Sequence, residues 1–223
     1  MISVDKYERE SSFIAPHPDD EIIGCGGTMA QHVEKGDRIF VIYVTSGELF
    51  EDEISYCISR RRRYDEAKEA ADIIGFEILD FSNIPARRVR DNESAITDKL
   101  ENIFRKLKPT SIYLPHDDEK DSDHIAVNSI VKEAYFRSKL SRGKDSNTVK
   151  AKLRGYEVWT PIKNISELNN IEDYANIKAE AIEKYKSQLV EIDYTLGIQG
   201  LNNYRGCFFG NCESAEVFTI III

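Results

Sequence analysis

Short apolar runs alternate with helical patterns from one end of this chain to the other, and that alternation points to a parallel sheet covered by helices. Residues 12–16 read as a first strand and residues 21–35 as a helix. Residues 38–45, RIFVIYVT, are apolar and rich in β-branched side chains, as a strand buried on both faces requires. A turn at Ser46 and Gly47 follows. Residues 51–74 are helical with Gly75 placed to stop them, and residues 77–81 form the next strand. A further helix over 91–107 ends before Pro109, and residues 111–114 (SIYL) make a fourth strand. A polar surface loop over 138–150 precedes a strand at 155–161, a helix over about 171–192 and a last strand at 216–223 that ends in four isoleucines. The expected class is α/β with a mainly parallel sheet.

At 223 residues and 41% hydrophobic, the chain is long enough to bury one good core, and residues 1–223 are expected to form one domain. A formal charge of -9 argues against a nucleic-acid or anionic-membrane partner, since phosphate contacts need clustered Lys and Arg. Arg60, Arg61, Arg62 and Arg63 form the only dense basic run, which on a helix reads as a solvated face. The start, MISVDKYERE, lacks the basic and apolar regions of a signal peptide. No window approaches 18 uninterrupted apolar residues either, so a soluble, cytoplasmic protein is expected. Cys25, Cys57, Cys207 and Cys212 are too sparse for a four-thiolate metal site and read as reduced thiols.

Polar residues concentrate abruptly where the first strand ends, at Ala15-Pro-His-Pro-Asp-Asp-Glu21. Zinc favours imidazole nitrogen together with carboxylate oxygen, and a catalytic site holds three protein ligands with a fourth position left to water. His17 and Asp20, a short turn apart, can reach one ion together. Asp19 between them would then point elsewhere and can serve as general base. The plain alternative is a loop whose aspartate caps the next helix. A second segment, His116-Asp-Asp-Glu-Lys-Asp-Ser-Asp-His124, follows the fourth strand and brings two of the chain's four histidines to the same sheet edge. A nitrogen ligand from here would complete a His-Asp-His set, and Asp123 would orient a ligand or the reacting group. Its plain alternative is an exposed acidic loop. In open α/β sheets, ligands bind beyond the carboxyl ends of the strands, where both segments lie.

These residues resemble a known family. APHPDDEIIGCGGT (15–28), TSGE (45–48), Arg63 with Glu66-Ala67-Lys68 to Gly75, Asp123-His124, and the stretch from Lys178 to Gln188 ending in Ser-Gln are similar to the LmbE/PIG-L family of zinc-dependent N-acetylglucosaminyl-type deacetylases. The similarity runs in order over nearly the whole chain and implies a three-layer, Rossmann-like fold. It implies Zn2+ as cofactor with His17, Asp20 and His124 as ligands, Asp19 as general base and Arg63 near the substrate sugar. It also implies an N-acetylated amino sugar or conjugate as substrate and, because members often form oligomers, self-association. One departure bears on mechanism. Many members have His-x-Asp-His where this chain has Asp121-Ser-Asp-His124, and an ionised Asp121 cannot donate a hydrogen bond or a proton. Asp121 kept protonated is one candidate acid, and His116, eight residues before His124, is the other.

Other classes remain on the residues alone. The many carboxylates suit a magnesium-dependent phosphoester hydrolase, although two histidines favour zinc. A non-catalytic sugar-binding relative that has lost its acid at position 121 is a further reading. Gly24, Gly26 and Gly27 do not continue as G-x-G-x-x-G, which disfavours a nicotinamide site. The Gly206 to Cys212 stretch with Tyr204 and Arg205 reads either as pocket wall or as core edge.

Overall fold

The computed structural model describes residues 9–140, 148–190 and 192–223. Most of the expected 138–150 loop and the start of the chain lie outside them. Among the described residues, seven strands form one sheet in the order β3-β2-β1-β4-β5-β7-β6. These are β1 (Glu10–Ala15), β2 (Arg38–Tyr43), β3 (Glu77–Phe81), β4 (Ser111–Pro115), β5 (Lys152–Tyr156), β6 (Glu167–Asn170) and β7 (Ala215–Ile221). The first five run parallel, and β7 is antiparallel to both β5 and β6.

Alternation along the strands sorts the core into two layers. Phe13 and Ala15 of β1 pack beneath α1 (Asp20–Glu34), α2 (Glu53–Ile74) and α5 (Ala175–Ile182). Ile14 between them points to the other face, with Leu100 and Phe104 of α3 (Glu93–Leu107) and Val127, Ile130 and Val131 of α4 (Ser122–Lys139). Helix α2 starts where Asp52 caps the N–H groups of Ile54 and Ser55 and stops at Gly75 with φ 94°, a left-handed position that favours glycine.

The glycines of α1 allow close packing. A Cβ on Gly24 would lie 2.6 Å from the carbonyl oxygen of Glu157 and 2.4 Å from the Tyr156 ring. Alanine is ordinarily better than glycine inside a helix by about 1 kcal/mol. Here Gly24→Ala is expected to lower stability by about 1–3 kcal/mol, because backbone cannot yield cheaply; urea unfolding that shows the variant equal or more stable would contradict this packing.

Three expected elements are corrected. The strand placed at 155–161 is β5, ending at Tyr156, because the N–H groups of Val158, Trp159 and Thr160 turn away to the Glu119 carboxylate. The helix placed at 171–192 is α5, only eight residues long. Beyond it tight turns replace helix, and the Ser187 N–H and hydroxyl go to Glu66. The last strand ends at Ile221. The short polar β6 and α6 (Thr195–Arg205), which carries two glycines, were not anticipated.

Candidate metal centre and active site

Strand β1 pairs with β2 on one side and β4 on the other, so the chain reverses its direction of travel across the sheet between β1 and β4. A crevice opens beyond the carboxyl ends of these two strands. His17 enters it from the β1 end, and the segment after β4 delivers Asp121, Asp123 and His124 at the start of α4. The pocket there has a volume of about 270 Å³, and its lining includes His17, Asp19, Asp20, Arg63, Asp121 and Trp159.

Three ligand-type groups converge. His17 Nδ1 and His124 Nε2 each lie 3.2 Å from Asp20 Oδ2. A tetrahedral ion with bonds of about 2.0–2.1 Å separates its ligand atoms by roughly 3.4 Å, so this spacing fits an ion between them. Asp20 Oδ1 and both ring nitrogens of His124 are buried without a hydrogen-bond partner. Orphaned buried polar atoms are costly, and a divalent cation beside Asp20 satisfies His124 Nε2, the ring nitrogen that faces that carboxylate. A second grouping, His17 with Asp121 and Asp123, also comes within ligand range. Its charge is already met: Asp121 Oδ2 pairs with the Arg87 guanidinium at 2.6 Å, whereas Asp20 Oδ2, which accepts the His17 backbone N–H at 2.8 Å, faces the two imidazoles. The donor set of His17, Asp20 and His124 is the one that fits a metal.

Without metal, this cluster holds protons instead. Burial disfavours a charged His17, yet hydrogen bonds to Asp123 and Asp20 outweigh it and raise its pKa to about 10. Burial likewise opposes a charged His124 and is overcome by the Asp20 carboxylate, while Asp20, despite its burial, is held well below the usual carboxylate range by the two imidazoles. A cation must displace the His17 proton. Zn2+ uptake near pH 8 is therefore expected to release at least about one proton per chain, with affinity rising about tenfold per pH unit until the imidazole is neutral near pH 10. Calorimetry in buffers of different ionisation enthalpy checks this; a heat independent of buffer would contradict it.

Asp19 stands at the N-cap of α1, yet its side chain caps nothing. Its φ is 127°, a strained value for a residue with a Cβ. The strain turns the carboxylate into the pocket, where Tyr194 donates to Oδ2 at 2.9 Å and the Arg63 guanidinium lies 3.6 Å from Oδ1. A helix-capping role does not account for this arrangement. Burial raises the Asp19 pKa to about 6, with Arg63 and the Tyr194 hydroxyl opposing the rise.

Arg63 is 1% exposed while Arg61 and Arg62 of the same run are in solvent and Arg60 lies over the Phe81 ring. Besides Asp19, its guanidinium reaches the Pro18 carbonyl, Glu48 at 3.7 Å and Glu66 at 4.0 Å. Gly47, with φ 77°, passes so close that a Cβ would sit 2.9 Å from Pro18 and 3.0 Å from Arg63. Thr45 fastens this turn by donating to the Pro16 carbonyl at 2.8 Å.

Two acid candidates fare differently. Asp121 is at the pocket, but it caps α4 through the Asp123 N–H and is ion-paired to Arg87, so both its oxygens act as acceptors. His116 is a correction. It is buried away from the pocket, its Nε2 donates to the Thr160 carbonyl at 2.6 Å and its Nδ1 accepts from the Asp118 N–H at 3.2 Å. Both nitrogens are spent on backbone, so it has no proton to offer a substrate. Asp123 holds His17 Nε2 at 3.1 Å, as a ligand-orienting carboxylate does.

Several residues at the site were not singled out from sequence: Tyr194, Trp159, Arg87 and Glu119. They reach it through tertiary packing and follow no local motif. Tyr204 and the Gly206–Gly210 turn are absent from the pocket wall, and Arg205 is buried in an ion pair with Glu157.

Residues 12–135 match the PIG-L family pattern, GlcNAc-PI de-N-acetylase. The chain belongs to the PIG-L family. It is 29% identical over 184 residues to an uncharacterized deacetylase, YaiS, of Escherichia coli (strain K12), covering 78% of this chain and 89% of that one. It is 25% identical over 194 residues to the diacetylchitobiose deacetylase of Thermococcus kodakarensis, covering 80% and 69%. Its fold matches that of the N,N'-diacetylchitobiose deacetylase from Pyrococcus horikoshii with a TM-score of 0.82 at 21% identity, over 96% of this chain and 84% of that chain. No described helix is long and apolar enough to cross a membrane.

Proposed function

We propose that this PIG-L family chain is a zinc-dependent N-deacetylase that removes the acetyl group from an N-acetylated amino sugar or sugar conjugate. The observation that carries it is the strained Asp19 carboxylate aimed into a pocket beside the convergent His17, Asp20 and His124. When bound by those three, a divalent cation supplies Lewis-acid polarisation of the amide carbonyl and acidifies a water.

Asp19 accepts the proton of the attacking water, since its carboxylate is held by Tyr194 and Arg63 with no helix N–H competing for it. The water oxygen bonds to the acetyl carbon and the carbon–nitrogen bond breaks. With Asp121 paired to Arg87 and His116 out of reach, the proton now on Asp19 is the one available to the departing amine, and Asp19 returns it. The products are acetate and a free amino sugar. The exposed indole of Trp159 at the pocket mouth offers an apolar face to a sugar ring. A neighbouring hollow of about 390 Å³ shares Gly47, Leu49 and Gln188 with the pocket and gives room for the rest of a conjugate.

The carboxylate-rich alternative, a magnesium phosphoester hydrolase, is separated by metal content and substrate class. Elemental analysis of the purified protein is expected to find about one zinc per chain, with no cleavage of p-nitrophenyl phosphate esters. Magnesium as the retained ion together with phosphoester turnover would overturn the deacetylase reading.

A further inference from the structure

Glu119 lies in the acidic segment after β4, is 2% exposed, and has no part in the chemistry described above. Its two oxygens do different things. Oε1 accepts from three successive backbone N–H groups, those of Val158 at 2.9 Å, Trp159 at 3.1 Å and Thr160 at 3.2 Å. Oε2 is buried with no hydrogen-bond partner and lies 3.9 Å from Nδ1 of His124, which is equally without one. The opposite nitrogen of the same ring, Nε2, faces Asp20. Two orphaned, complementary polar atoms therefore face each other on the side of His124 away from Asp20.

The arrangement mirrors that of the other imidazole ligand. His17 presents one nitrogen to Asp20 and is held at the other by Asp123. Metal-ligating histidines nearly always donate their second ring N–H to a carboxylate, which fixes the tautomer and raises the basicity of the ligand. Among the described residues, Glu119 is the carboxylate placed at Nδ1 of His124 for that role. The segment gripped by Oε1 is also clamped by His116, whose Nε2 donates to the Thr160 carbonyl, and it carries Trp159 at the pocket mouth.

Resting on the metal-site reading above, we propose that Glu119 is a positioning residue which orients His124 for the cation through Oε2 and, through Oε1, ties metal uptake to the placement of Trp159. The shift needed to close the gap to Nδ1 is small, and it acts on the carboxylate that anchors the Trp159 backbone. Metal binding at one end of Glu119 is thereby felt at the other.

The test is titration of metal-free protein with Zn2+ against a chromophoric chelator. The amide oxygen of Glu119→Gln still accepts the three backbone N–H groups, but its NH2 confronts the imidazole N–H. The variant is expected to keep the metal-free melting temperature of the parent and to bind Zn2+ roughly 10–100-fold more weakly. Trp159 is the sole tryptophan, so its emission reports the coupling directly: it is expected to change with Zn2+ in the parent and to lose that response in the variant at saturating Zn2+. Equal Zn2+ affinity in the two proteins would overturn the positioning role, and an equal emission response would overturn the coupling. Should the variant not fold, 15N NMR of the four histidines in the zinc-loaded parent decides. A slowly exchanging Nδ1 proton on His124 is expected, and zinc on Nδ1 or a freely exchanging proton there would overturn the proposal. A parent that takes up no Zn2+ would instead overturn the metal-site reading itself.

Discussion

Asp19→Asn is expected to lower kcat by about 10²–10⁴-fold, the usual contribution of a positioned proton-transfer group, while zinc content stays at the parental level. The asparagine oxygen can still accept from the Tyr194 hydroxyl, so the local structure survives. It cannot take a proton from water. Stability moves the other way from activity. Because burial raises the Asp19 pKa to about 6 in the metal-free protein, above its ordinary value, ionising it at neutral pH costs the folded state, and stability falls as pH rises through about 6. The neutral asparagine avoids that cost, so the metal-free variant is expected to melt no lower than the parent at neutral pH. Such a pairing of lost activity with retained stability marks a residue held in place for chemistry. Steady-state kinetics, metal analysis and thermal melts on one preparation check all three; a variant with parental kcat would remove Asp19 from the reaction.

Arg63→Met carries the second large effect, and it falls on both stability and pH dependence. The guanidinium is surrounded by Asp19, Glu48 and Glu66 in a site that is 1% exposed on the arginine side. Removing it leaves buried carboxylates without their counter-charge, which is expected to cost about 3–5 kcal/mol. Arg63 also lowers the Asp19 pKa against the effect of burial. Without it, that pKa rises, a larger fraction of Asp19 is protonated at neutral pH, and the acid limb of the kcat profile moves to higher pH. Chemical denaturation and a pH–rate profile test the two halves separately. An unchanged acid limb would contradict the electrostatic role given to Arg63, whatever happened to stability.

The parts of the site that could be read in the sequence were those whose chemistry is local. His17, Asp19 and Asp20 fall within four consecutive positions after a strand, and His124 lies in the first turn of a helix after another; strand order then brings the two loops together. Arg63 is legible only through family resemblance, since a basic run on a helix looks solvated whichever member turns inward. Its burial follows from the helical period, which places Arg63 with Tyr56, Glu66, Ala67 and Ala70 on the inner face of α2. Tyr194 and Trp159 had no such signal. Tyr194 is 175 positions from Asp19 and arrives only because α5 ends early and the chain doubles back. The same early end explains why the expected helix over 171–192 is too long: the Ser187 N–H goes to the Glu66 carboxylate in place of a helical carbonyl. The β5 boundary was misplaced for an equivalent reason, because the Glu119 carboxylate captures the three N–H groups that a longer strand would have used. Proximity in sequence to His124 makes His116 a candidate proton donor, but a histidine whose two nitrogens both meet backbone atoms is a structural clamp.

The central claim, a metal-dependent amide hydrolase built on His17, Asp20, His124 and Asp19, is tested most directly by quantifying acetate and free amine released from a panel of N-acetylated amino sugars and conjugates. Equal amounts of the two products are expected from at least one substrate, with turnover abolished in chelator-stripped protein and restored by Zn2+. Product release that persists in fully stripped protein, or none from any substrate with the zinc-loaded protein, would contradict it.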